Sequence, residues 1–237
     1  MLIGKDFEKI SFELFGYTFL EPNAFIGDAV IFVVALYYAA RIRRLNKTGA
    51  FYTNWYWFYI VFGTGFLIGG FSHLFFNSWG VNGKYIPWLS GIVTAFFLEQ
   101  AMISIFPKKE RKQMFKRLSI LKLIFVLLAA FYTFVTVDLS LDIKKGLMIP
   151  TANSIVGLGF SLIALGSFYY NRIDKCFRYF WISGLLLFPS AVFQVLKINL
   201  HPWMDRNDVS HVLLLLSLIL YFRGVEGYTQ RREAVSA

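Results

Sequence analysis

The sequence predicts an all-α integral membrane protein, a bundle of seven transmembrane helices with the amino terminus outside and the carboxyl terminus in the cytoplasm. Three observations carry this expectation. Of 237 residues, 57% are hydrophobic and 16% are charged, and the mean hydropathy of +0.56 is far above that of a soluble domain. Apolar stretches of about 20 residues recur, long enough to cross a hydrocarbon core of roughly 30 Å as helices, and they lack the alternation that barrel strands show. The basic residues alternate in density along the chain. Sixteen of the 24 Lys and Arg fall in "RIRRLNK", "PKKERKQMFKR", "NRIDKCFR" and the tail from Arg223, whereas seven lie on the opposite side and Lys122 within a span. Basic loops stay in the cytoplasm, and that sets the orientation.

In chain order, "MLIGKDFEKISFELFGYTFL" has no continuous apolar core and no small-residue cleavage site, so no removable signal peptide is expected there. Ile3, Phe7, Ile10 and Leu14 have helical spacing, which suits either an amphipathic helix on the outer membrane surface or a frayed tail over 1–20. Spans are expected over about 24–42, 52–76, 85–106, 118–137, 146–169, 178–198 and 208–223, with a cytoplasmic tail over 224–237. Connections are short and no linker or repeat divides the chain, so 1–237 reads as one domain. Trp79, Trp88 and Trp203 are expected in the outer aromatic belt and Trp55 and Trp57 in the inner one. Cys176 stands alone in a cytoplasmic loop, so no internal disulfide can form.

The net charge of +10 records orientation and attraction to anionic lipid, not an affinity for nucleic acid. Membrane lipids are the expected partners, and a plasma membrane or a bacterial inner membrane is the expected location.

The polar residues inside the spans are unevenly placed. Asp28, Ser72, His73, Asn153, Ser154, Gln194, Asn207, Asp208 and His211 mostly fall within about 10 Å of one level in the outer leaflet. A carboxylate in hydrocarbon costs roughly 2.5–3.5 kcal/mol, so such groups turn inward and pair. Asp28, His73 and His211 are expected to meet, helped by the close approach that Gly65 and Gly69 permit in "GTGFLIGGFSH". Glu99 lies deeper, and pairing with Lys122 or a bond to a neighbouring helix accounts for it.

A seven-span chain with Ser and His ending the second span, "GGFSHLFF", and a four-spaced pair opening the seventh, "NDVSH", resembles the CREST superfamily, which includes alkaline ceramidases and progestin and adipoQ receptors. The resemblance implies a zinc ion held by His73, His211 and the position of Asn207, with Ser72 and an aspartate assisting the metal-bound water. It also implies calcium near Glu21 and Asn23 in "LEPN", similar to the acidic segment of the ceramidases. Three departures stand against it. Asn207 replaces a histidine, Ser72 is adjacent to the histidine and not a turn before it, and "KYIPWLSG" offers Tyr85 and Ser90 where an acid is expected. The likeness covers the topology of the whole chain, but its motifs amount to a handful of residues.

Two functional expectations follow. In the first, zinc on His73 and His211, with Asp208 or Asp28 as third ligand, lowers the pKa of bound water toward ~7, and the remaining carboxylate is general base for hydrolysis of a lipid amide or ester. In the second, the same side chains form a metal-free network in a receptor or complex subunit without catalysis. His201 reads as a loop histidine. No phosphate loop, haem-binding Cys motif or HExxH occurs, and the seventh span has no Lys for a retinal Schiff base. Transport finds little support, since few residues beyond Pro189 and some glycines interrupt the apolar spans and no matched interrupted segments recur.

Overall fold

The computed structural model describes residues 1–236, the side chain of Ser236 excepted. It contains seven helical segments long and apolar enough to cross a membrane: Pro22–Arg44, Ala50–Leu74, Phe76–Ser104, Lys109–Thr136, Ile143–Arg172, Lys175–Leu196 and Arg206–Val235. The uninterrupted helices are α1 (Pro22–Arg44), α2 (Ala50–Leu74) and α5 (Lys109–Thr136), with α10 (Arg206–Ser236) closing the chain. The third span enters through α3 (Phe76–Trp79) and a 3-10 turn over Gly80–Lys84 before α4 (Tyr85–Ser104). The fifth is α6 (Ile143–Leu158), a π-helical stretch Gly159–Leu165 and α7 (Gly166–Arg172), with the buried Pro150 removing a backbone donor inside α6. The sixth is divided at Leu187 into α8 (Arg178–Leu186) and α9 (Phe188–Leu196), where Pro189 starts the second piece.

The tail expected from residue 224 continues α10 as far as Ser236, and Ala237 lies outside the described residues. Spans one, two, three, five, six and seven pack in a ring. The fourth, α5, rests outside it against α4 and α6. That position explains why Leu121, Phe125, Leu128 and Val135 are exposed, as suits a lipid-facing helix.

The amino-terminal 20 residues are not helical. Ser11–Leu14 (β2) pairs antiparallel with Tyr17–Leu20 (β3) across a two-residue turn in which Phe15 and Gly16 both have positive φ, 52° and 77°. That turn type matches the twist of its strands. Leu2–Ile3 (β1) pairs with Ile198–Asn199 (β4), the loop before the seventh span. The segment is thus tied at both ends. Asp6 meets Arg206 and Lys197, Asn199 donates to the Lys5 carbonyl at 2.7 Å, and Phe19 packs edge-on against Phe75 at the end of α2. Period-two pairing overrides the helical spacing because the turn brings β2 onto β3.

The tightest core fills the half of the bundle away from this hairpin. Trp55 and Phe180 stack at 5.3 Å, and the Tyr59 and Tyr169 hydroxyls each donate at 2.7 Å to a backbone carbonyl, of Leu218 and Met102. Trp55 is fully buried there and Trp88 is almost so, whereas Trp57, Trp79 and Trp203 are exposed. The belt assignment therefore fails for Trp55 and Trp88, whose rings fill gaps between helices. A Cβ on Gly224 would lie 2.4 Å from Cζ of the buried Phe180. Gly224→Ala is expected to cost about 1–3 kcal/mol by overpacking, seen as a lower unfolding midpoint in detergent.

Candidate functional site

Between the hairpin end and the aromatic core lies a cavity of about 410 Å³. Its walls come from every span but the fourth. Six of the expected polar residues, Asp28, His73, Ser154, Gln194, Asn207 and His211, line it together with Ser210, whereas Phe58, Phe62, Phe66, Leu98, Leu158 and Leu214 make the deeper walls.

One pairing in the cavity joins the first and seventh spans. His211 Nε2 stands 3.2 Å from Asp28 Oδ1, and Asp28 is 3% exposed. Glycines make the room. A Cβ on Gly27 would sit 2.5 Å from His211 Nδ1, and one on Gly70 would sit 3.0 Å from the Asp28 Cβ. With Nε2 directed at the carboxylate, Nδ1 is left buried against Gly27 without a hydrogen-bond partner.

His73 does not meet Asp28. Its Nδ1 stands 2.8 Å from Glu21 Oε2, which also takes Lys9 Nζ at 3.0 Å. Glu21 precedes Asp28 by about two turns, which raises its carboxylate to the level of the last turn of α2. Burial alone would push Glu21 up, but His73 and Lys9 together hold it down at about 2, from an ordinary 4.5. A depressed carboxylate stabilises the fold above its unfolded value and loses that contribution as pH falls through the folded one. The hairpin is therefore expected to stay docked from neutral pH to about 5 and to loosen progressively between about 4.5 and 2. Hydrogen exchange over residues 9–20 reads this, and Glu21→Gln should remove the pH dependence.

Asp208 serves the helix and not the cavity. Asp205 Oδ1 accepts from the backbone N–H groups of Asn207 (2.6 Å) and Asp208 (3.2 Å), and Asp208 Oδ2 accepts from the N–H of Asp205 at 2.8 Å. This reciprocal arrangement is a capping box at the start of α10. Asn23 Nδ2 adds a bond to the same Asp208 oxygen at 2.9 Å, tying α1 to α10. Asn207 Oδ1 accepts from Gln194 Nε2 at 3.0 Å, joining the sixth and seventh spans. Ser72 is fully buried with Oγ on the carbonyls of Ile68 (2.7 Å) and Gly83, so it faces backbone and not the cavity. His201 sits in a tight loop with Met204, its Nδ1 accepting from the Trp203 N–H at 3.2 Å.

The expected metal sets do not assemble. Among the described residues no three His, Cys, Asp or Glu side chains converge so as to hold a metal ion. The reason is visible in the pairings: His73 is turned to Glu21, His211 to Asp28 and Asp208 to its own helix start, while Asn207 takes a donor from Gln194. Calcium at Glu21 and Asn23 fits no better, because Glu21 faces Lys9 and His73, and the Asn23 amide nitrogen donates to Asp208.

Glu99 lies apart, 3% exposed, where its Oε2 accepts from Ser119 Oγ at 2.6 Å and Oε1 pairs with Lys122 of α5. The Glu21–His73 pair and the capping box lie outside the motifs expected from the sequence. The second had a readable signal in Asp205 and Asp208, three apart before an apolar run.

A family model described as "Family of unknown function (DUF6962)" matches residues 24–230, from the first span into the seventh. No curated protein and no solved structure matches the chain significantly.

Proposed function

The chain belongs to the DUF6962 family, and we propose that it is a multi-pass membrane protein that binds an amphiphile with an uncharged polar head, a receptor or complex subunit with a metal-free polar network. The hairpin end faces outside, in a plasma membrane or bacterial inner membrane, as the distribution of Lys and Arg favours. The observation that carries this reading is the division of one cavity into a hydrogen-bonding end, with Asp28, His73, Gln194, Asn207 and His211, and a mostly apolar remainder. A carboxylate head would stand against Asp28, and a cation would compete with His211 for it, so an amide, ester or alcohol suits the site best.

Binding is favoured over hydrolysis because the reactive groups are already committed. The zinc-hydrolase reading that the CREST resemblance implies needs donors that converge, and here they pair separately. Nor does the Asp28–His211 pair make a ready general base, since its free imidazole nitrogen is turned to Gly27. The test is a binding isotherm for octadecanamide on the detergent-purified chain, with product analysis alongside. Saturable binding at one equivalent without turnover, weakened about tenfold in Asn207→Ala, is expected, the loss of roughly one hydrogen bond. Steady release of fatty acid would favour the hydrolase, and absence of saturable binding would reject the site.

A further inference from the structure

We infer that the cavity has a second, deeper polar subsite centred on Thr94, which receives a hydroxyl or carbonyl carried partway along the ligand's chain; this rests on the amphiphile reading above. The helical serines and threonines of this protein commonly bond a carbonyl three or four residues back, as do Ser72, Ser90, Thr133, Ser217 and Thr229. Thr94 does not. It is 6% exposed, its Oγ1 is buried without any hydrogen-bond partner, and it forms part of the cavity wall. An unpaired buried hydroxyl costs about 1–3 kcal/mol, so a partner entering the cavity gains what the free protein lacks. Receiving the ligand group requires the Thr94 χ1 rotamer that turns Oγ1 to the cavity, since the hydroxyl is itself buried as it stands.

The facing helix adds to the polarity. Ser154 of α6 lines the same cavity, and beside it Asn153 is buried with Oδ1 unpaired. The depth of the subsite follows from packing. A Cβ on Gly69 would come within 3.6 Å of Asp28 Oδ2, and one on Gly65, a turn deeper, would overlap Ser90 Oγ. Thr94 is one turn beyond Ser90 along the antiparallel α4, which sets it about 12 Å below Asp28. Phe58, Phe62 and Leu98 line the cavity there with apolar surface, and Tyr221 beside Phe58 is a further hydroxyl in the lining. A long-chain amide with its head at Asn207 and Asp28 therefore presents the middle of its chain to Thr94.

The experiment compares octadecanamide, 10-hydroxyoctadecanamide and 17-hydroxyoctadecanamide on the full chain by native mass spectrometry in mild detergent. The mid-chain isomer is expected to bind at least tenfold more tightly than the other two. Thr94→Val should reduce that preference below twofold, weakening the 10-hydroxy amide far more than octadecanamide, whereas a merely structural threonine would weaken all three alike. Ser154→Ala should reduce it partially and gives a second readout if the Thr94 variant does not fold. Equal binding of the three amides, as when a water serves Thr94, overturns the subsite and leaves the amphiphile reading intact. A preference that survives both substitutions also overturns it, and failure of all three to bind overturns both.

Discussion

Glu99→Ala is expected to lower stability by about 3 kcal/mol, among the largest effects of any single substitution in this chain. Glu99 is buried on α4, and Lys122 of α5 has a side chain only 25% exposed. Removing the carboxylate leaves that ammonium, and the Ser119 hydroxyl, without the partner each now has. Partial exposure lets Lys122 reach toward the membrane boundary, which keeps the expected loss at the lower end of the range for a broken buried pair. Because α5 lies outside the ring, the damage should be local. Hydrogen exchange should rise over 109–136 and little elsewhere. The double replacement Glu99→Leu with Lys122→Met should recover most of the loss, since two apolar side chains fill the interface without an orphaned charge.

Asp28→Ala is expected to cost a similar amount, about 3 kcal/mol, and to abolish amphiphile binding. His211 already has one ring nitrogen buried and unpaired, and loss of Asp28 would leave both that way. Asp28→Asn keeps an acceptor at the same position and should retain most of the stability. The two variants thus separate the hydrogen bond from the charge. Gly27→Ala probes the same pair from behind, since its new Cβ would meet His211 Nδ1 at 2.5 Å. Thermal unfolding in detergent, with octadecanamide binding on the same samples, measures both effects.

Much of the bundle was legible in the sequence because lipid imposes a simple rule: a backbone in hydrocarbon must bond to itself, so apolar stretches of sufficient length become helices. The polar residues were legible for the related reason that they cannot face lipid, and Asp28, His73, Asn207 and His211 do line one cavity. What was hidden was which group would pair with which. Glu21 resembles a calcium-binding remnant in the sequence, yet it lies at the height of His73 and takes it from Asp28. Asp208 looked like a ligand because it neighbours His211 on one face, but the unpaired N–H groups of a helix start claimed it first.

The amino-terminal hairpin was missed for a different reason. Its turn puts Phe15, a bulky residue, at φ 52°, a conformation that composition does not advertise. The peripheral placement of α5 had only a compositional signal, since its most apolar stretch is more hydropathic than that of any other span. Glu99 and Lys122 alone hinted at where it docks.

The central claim, that the cavity between the second and seventh spans holds an acyl chain with its head at Asp28 and Asn207, is tested most directly by photolabelling. A long-chain amide with a diazirine near mid-chain is irradiated with the purified protein, and the labelled peptides are mapped with and without excess octadecanamide. Label on the Phe58–Phe66 and Leu214 segments, competed away by the unlabelled amide, is the predicted result. Label confined to the outer surface of α5, at Phe125 and Leu128, and indifferent to competitor would contradict it.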